Sequence, residues 1–300
     1  MDLVKGSASG IREPGARTGW ESEIRRGGQP VMQMQGSDGG PYIIGLAYMM
    51  SCIGCGLGLL AMVRARASEG SARQRWLALG ALAIGGTGIW IMHFIAMLGY
   101  SIANVTIKYN LPITIASLLL AIVVVWFGLR AAVVGDGGVP ALIPAGLVTG
   151  IGVAGMHYLG MAGMSMQATV RYRIWVVVLS VVIAVVAATV ALWFAVNLRS
   201  AAAMIGAALV MGAAVTGMHY TGVAAMDVTS NPGASVSGLS STQLLVPLAI
   251  VACLSTFAIL LTLGLSPTAQ ELDREAQIKE NLRKLSAMRE HTDPNLRDAR

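Results

Sequence analysis

Met218-His219-Tyr220-Thr221-Gly222-Val223 closes a long apolar run, and two variants of the phrase precede it in the chain. They read Met92-His93-Phe94-Ile95-Ala96-Met97 and Met156-His157-Tyr158-Leu159-Gly160-Met161. Of four histidines in 300 residues, three sit in these phrases, 64 and 62 residues apart. Self-similarity at a nearly fixed period marks an internal structural repeat.

Composition names the solvent in which the repeat folds. Apolar residues make up 55% of the chain and charged residues 12%, about half the charged share of a soluble domain. The chain therefore reads as an all-α integral membrane protein. A spanning helix needs about 20 mostly apolar residues. Seven runs qualify, at 42–63, 76–100, 111–129, 141–164, 174–198, 203–226 and 244–265. They parse as three repeated helix pairs plus a final helix. The polar, Gly-rich residues 1–40 read as a disordered tail, with Met32 and Met34 as alternative starts. The charged residues 266–300 read as a cytoplasmic tail, partly helical, and 227–243 as turn and loop.

Basic residues set the expected orientation. With the N-terminus outside, the inner segments hold Arg64, Arg66, Arg73, Arg75, Arg130, Arg199 and seven basic residues after the last span. The outer loops hold Lys108, Arg171 and Arg173. Thirteen against three favours N-out, C-in. The net charge of +6 thus reports topology, and nucleic acid is not an expected partner. Spans two, four and six then run outward together, which puts all three histidines at one depth in the outer half of the bilayer.

The residues around each histidine keep a pattern. Position −1 is Met92, Met156 and Met218; position +4 is Met97, Met161 and Val223; position +7 is Tyr100, Met164 and Met226. On a helix 0, +4 and +7 share a face. Position −7 is always glycine (Gly86, Gly150, Gly212) and +3 always small (Ala96, Gly160, Gly222), which lets membrane helices approach closely. One intramembrane histidine is often only a packing residue. Three at matched depth, each preceded by Met, favour a metal site. Imidazole suits several transition metals and thioether favours Cu(I), so copper is the first expectation. Haem is the alternative. Zinc fits less well, because Asp227 is the one carboxylate near the mouth. Any single Met is more often filler than ligand. Cys52 and Cys55, flanked by Gly54 and Gly56, read as small packing residues. The chain shows no acid pair, nucleophile elbow or phosphate loop, so it does not read as an enzyme.

The phrase, complete at Met218-His219-Tyr220-Thr221, resembles the bacterial MHYT domain over roughly 42–265. That resemblance implies a seven-span module of the bacterial inner membrane, with its motifs near the outer face of alternate helices. It implies a sensor binding copper through His93, His157, His219, Met92, Met97, Met156, Met161, Met218 and Met226, and through copper a diatomic ligand such as oxygen, carbon monoxide or nitric oxide. A metal-ion transporter is the other reading of the same residues. Phe94-Ile95, Leu159 and Val223 depart from the full pattern. About 35 residues follow the last span, so an unidentified cytoplasmic signalling partner is expected to carry the output.

Overall fold

Ile and Val are frequent in the apolar runs, and in water such β-branched residues favour strands. In hydrocarbon every backbone N–H and C=O must be satisfied within the protein, by a helix or a closed barrel, and runs of about 20 residues fit the helix, since a spanning strand needs only about 10. The computed structural model describes residues 40–101, 105–134, 138–231, 233–266, 274 and 277–286. It contains seven helices long and apolar enough to cross a membrane. They are α1 (Gly40–Arg66), α2 (Gly70–Leu98), α3 (Leu111–Val134), α4 (Val139–Ala162), α5 (Ile174–Asn197), α6 (Ala201–Ala224) and α7 (Ser241–Leu265). The expected tail at 1–39 lies outside the described residues. Residues 277–286 are helical and exposed.

Burial ranks the helices. Of the most apolar window of α2, 83% is buried, against 17% for α5. So α2 is the central helix, and α5 faces lipid. Close backbone approach holds the centre together. A Cβ on Gly54 of α1 would collide with the backbone of Gly88 in α2. One on Gly85 of α2 would lie 2.7 Å from the carbonyl oxygen of Ala121 in α3. One on Gly212 of α6 would lie 2.5 Å from Cys52 Sγ, so Cys52 is a packing residue, as its neighbours imply.

Residues Leu82–Ile91 of α2 are π-helical. Such i→i+5 stretches are rare and collect at functional sites. This one ends two residues before His93. It also explains a departure from the sequence pattern. Gly150 and Gly212, at position −7, meet neighbouring helices, whereas in α2 the backbone contact falls to Gly85, at −8. A π turn takes up one extra residue, which moves the contact by one position.

The loops at the histidine end are also more ordered than their composition predicts. Strands β1 (Ile107–Tyr109), β2 (Met164–Met166) and β5 (Leu239–Ser240) form one small sheet in the order β2-β1-β5. β3 (Ala168–Tyr172) and β4 (Met226–Ser230) form a second, with Tyr172 opposite Met226 and Arg171 opposite Asp227. All pairing is antiparallel. The stretch 227–243, expected as turn and loop, therefore contributes two strands. Their partners lie in other loops, so local composition does not reveal them. Tyr109 is 1% exposed and donates a hydrogen bond to the carbonyl of Met97 (3.0 Å), fastening the first sheet to the end of α2.

Candidate metal centre

The helices bearing the repeated phrase end at one place relative to their histidines. α2, α4 and α6 stop at Leu98, Ala162 and Ala224, five residues beyond His93, His157 and His219. The +6 residues Gly99, Gly163 and Ala225 are the caps. Position +7 therefore leaves the helix: Met164 starts β2 and Met226 starts β4. The helical stripe 0, +4, +7 expected from spacing is corrected to 0, +4, because the small +6 residue terminates the helix first.

The three imidazoles converge. Nδ1 of His93 lies 3.1 Å from Nδ1 of His157 and 3.0 Å from Nδ1 of His219; the third side of the triangle is 3.3 Å. Ring centroids are 5.0, 4.9 and 5.0 Å apart, with interplanar angles of 84°, 83° and 85°. This is a near-threefold propeller, with each blade supplied by one repeat. All three side chains are buried. The residue after each histidine packs edge-on against it: Phe94, Tyr158 and Tyr220, with centroids at 4.9, 4.9 and 5.0 Å.

Proton counting shows a conflict among these atoms. A neutral imidazole nitrogen is either a donor or an acceptor. Three mutually contacting atoms of two kinds must include two of the same kind. At least one side of the triangle therefore sets donor against donor or lone pair against lone pair. A cation removes the conflict by accepting all three lone pairs, which leaves each Nε2 carrying its proton. The size also fits. The centre of the triangle is about 1.8 Å from each nitrogen (mean side over √3), so an ion slightly off the plane reaches the usual metal–imidazole distance of about 2.0 Å. The donor set of three buried imidazoles therefore fits a single transition-metal ion.

The small residues at +3 have a role that spacing alone does not disclose. A Cβ on Gly160 would run into Nε2 of His93, and one on Gly222 into Nε2 of His157. Each glycine makes room for the imidazole of the preceding repeat. In the first copy the same position is Ala96, which is 4% exposed. The recurrence of a small residue at +3 was the visible signal; that it serves the ring of another repeat depends on how the three helices turn toward one another.

Apart from half-buried Met164, the methionines of the repeat are buried. Met97, Met156, Met161, Met218 and Met226 belong to the main apolar core, and Met92 packs with Ala47 and Ala96 in a smaller cluster. Met97 and Met161 share a helix face with their histidines, as does Val223 in the third copy. Asp227 is not at the triangle; it pairs with Arg173 at 3.5 Å on the half-exposed surface. Among the described residues, the three histidines are the one group of His, Cys, Asp and Glu with metal-site geometry.

Comparison with known proteins agrees with the repeat. The family described as MHYT, bacterial signalling protein N-terminal repeat, matches residues 86–145, 150–208 and 212–272. Each matched unit starts inside a histidine helix and runs on through the next one. Cut this way, the helix outside the three pairs is α1. The bifunctional diguanylate cyclase/cyclic di-GMP phosphodiesterase MucR of Pseudomonas aeruginosa is 40% identical over 205 residues, covering 66% of this chain and 30% of that protein. The cyclic di-GMP phosphodiesterase NbdA of the same species is 31% identical over 257 residues, covering 81% of this chain and 31% of that protein. The signaling protein YkoW of Bacillus subtilis is 27% identical over 194 residues, covering 61% of this chain and 23% of that one. The aligned part of this chain thus spans less than a third of each of these relatives. No solved structure matches it. Three family matches in register with three converging histidines place this chain, a multi-pass membrane protein, in the MHYT family of bacterial signalling proteins.

Proposed function

We propose that this membrane module is a sensor whose receiving element is one copper ion held by Nδ1 of His93, His157 and His219. The observation that carries the reading is the closed triangle of buried nitrogens, which no distribution of imidazole protons satisfies. Copper is favoured over zinc because the face one turn on carries the thioethers of Met97 and Met161 and no carboxylate. Long side chains on a helix lean toward its N-terminus, so residues at +4 lean back toward the histidine turn. A single ion suits the triangle better than haem, whose macrocycle would have to separate at least one pair of these nitrogens. Bound copper supplies a Lewis-acidic, redox-active centre able to take a small diatomic ligand. The protein's part is to hold three neutral imidazoles in one orientation, with Gly160 and Gly222 fixing two ring positions, and to keep water away.

A ligand acts as a signal only if it favours one arrangement of the helices over another. The histidines come from three different helices, so a change in their mutual distances must change how α2, α4 and α6 pack. Relatives named for making or breaking cyclic di-GMP point to cyclic-dinucleotide signalling as the output.

The test is metal analysis with an optical spectrum of detergent-purified protein from copper-supplied cells. Wild type is expected to carry about one copper per chain, and His157→Ala and the triple His→Ala variant to carry almost none. Metal-free wild type, or equal copper in the triple variant, sinks the reading. A Soret band with stoichiometric iron would replace it with haem.

A further inference from the structure

One turn before each histidine, on the same helix face, stand Ile89, Val153 and Val215. All three border one cavity of about 50 Å³, which is not fully enclosed. The next layer away from the triangle is Thr149 on α4, Met211 on α6 and Ile84 on α2. Thr149 and Val153 are four residues apart, as are Met211 and Val215, whereas Ile84 and Ile89 are five apart. That is the spacing of an α-helical face twice and of the π-helical face once, so the π stretch keeps α2 facing the cavity over both layers. The cavity therefore begins one turn from the histidines on all three helices and extends outward to α5, which contributes Ala184, Ala188 and Leu192 to its wall.

Chemistry restricts what the cavity takes. Its volume is roughly three to five times the room that one water needs, and a buried water also needs two to four polar partners. The lining is apolar except for the Cys55 thiol and the Thr149 hydroxyl. Thr149 is 4% exposed and its hydroxyl has no partner among the described residues. One hydroxyl does not hold water in such a space, and apolar cavities of this kind stay dry and admit small apolar guests. The side of the chamber toward lipid is thin. A groove of about 320 Å³ between α5 and α6, lined by Val182, Val186 and Val210, shares Ala187 and Met211 with the cavity. It opens where α5 faces lipid, the phase in which small apolar molecules concentrate.

We propose that this chamber is a binding site for one small, uncharged, apolar molecule of diatomic or noble-gas size, entering from the bilayer between α5 and α6 and lodging one turn from the histidine triangle. The chamber as a binding site stands on its own lining. Its use as the antechamber of a metal centre rests on the copper reading above.

Xenon is the probe, read by 129Xe NMR on detergent-purified protein with empty micelles as the baseline. Wild type is expected to give a saturable xenon shift beyond the baseline. Val153→Phe fills the chamber from α4, and Ala188→Leu fills it from α5; each is expected to abolish the saturable component while helicity and elution volume stay unchanged. His157→Ala is expected to retain it, because the chamber is lined one turn away. Wild type indistinguishable from empty micelles overturns the proposal. So does an unchanged shift in either filled variant that remains folded. Copper analysis on the same samples separates the two claims: wild type without copper but with the xenon shift removes the metal reading and leaves the chamber.

Discussion

Gly222 has no side chain because the imidazole of His157 stands where its Cβ would be, and Gly160 stands in the same relation to His93. On the copper reading, these glycines hold the ligands in place without being ligands themselves. Substitution at such positions commonly costs about 10–100-fold in metal affinity. Gly222→Ala is accordingly expected to weaken copper binding about 10–100-fold in a competition titration against a chelator. Gly217→Ala is the control, since a Cβ there meets nothing within 4 Å and its copper affinity should equal that of wild type. Equal affinities for Gly222→Ala and wild type would falsify the cradle. The histidines themselves were legible in the sequence, because a repeated residue at matched distance from three helix ends must arrive at one level. Which nitrogen faces inward, and whose ring each glycine accommodates, depend on the rotation of three helices about their own axes. A spacing along one chain carries no record of that rotation. The +7 position was misread for a related reason: the local pattern does not say that the small +6 residue is a cap and not a packing contact.

The π-helical stretch Leu82–Ile91 decides where His93 points. One residue of an α-helix corresponds to about 100° of rotation and 1.5 Å of rise. Deleting Gly86 lets the stretch close into an uninterrupted α-helix. The half of α2 before the deletion, held to α1 where Gly58 meets Gly80 and Ile84, then stays in place while the His93 end turns by about one residue, which takes Nδ1 out of the triangle. The deletion is expected to abolish copper binding without preventing membrane insertion; a variant that binds copper as tightly as wild type removes the π stretch from the account. Hydropathy revealed all seven spans to within a few residues, because each must cover the same hydrocarbon thickness. It does not reveal the hydrogen-bond register inside a span, since a π turn is as apolar as an α turn. The strands escaped notice because two to five residues pair with partners in other loops. Tyr109 on β1 gives that cap a measurable signature. Burial pushes its phenol up to about 12, with a side-chain hydrogen bond to Ser241 pulling the other way. A folded pKa above the unfolded value of about 10 means that, between the two, the native state keeps a proton the unfolded state has lost. Stability is therefore full below pH 10 and falls as pH rises toward 12, by about 2–3 kcal/mol from this group. Tyr109→Phe should show a shallower loss of thermal stability between pH 10 and 12 than wild type, and parallel curves for the two proteins count against a buried phenol.

At the scale of the whole molecule, the two ends of the bundle are built differently. At the end remote from the histidines, α1 closes with Arg64 and Arg66. The Arg64 guanidinium donates to the carbonyl of Leu263 at the end of α7 (2.7 Å), and Arg66 donates to the carbonyl of Leu198 just after α5 (2.5 Å). α1 thus touches the centre at Gly54 and also holds the place where the chain leaves α7, so on the proposed sensing role it is the contact path from α2 to the segment after the last span. Arg73, Arg75, Arg130 and Arg199 belong to the same end of the bundle, whereas Lys108, Arg171 and Arg173 belong to the strand-capped end. Because basic residues near span ends are retained on the cytoplasmic side, the arginine end should be inside and the histidine triangle near the outer face. This is checked in intact cells with a membrane-impermeant maleimide, in a chain whose Cys52, Cys55 and Cys253 have been replaced by Ser. Ser237 is exposed between β4 and β5, and Ala67 is exposed in the turn after α1. Ser237→Cys is expected to label without permeabilisation and Ala67→Cys only after it. The reverse pattern would place the triangle near the cytoplasmic face and the exit of α7 outside. An output domain attached there could not meet a cytoplasmic nucleotide, so the signalling direction proposed for the module fails together with the orientation.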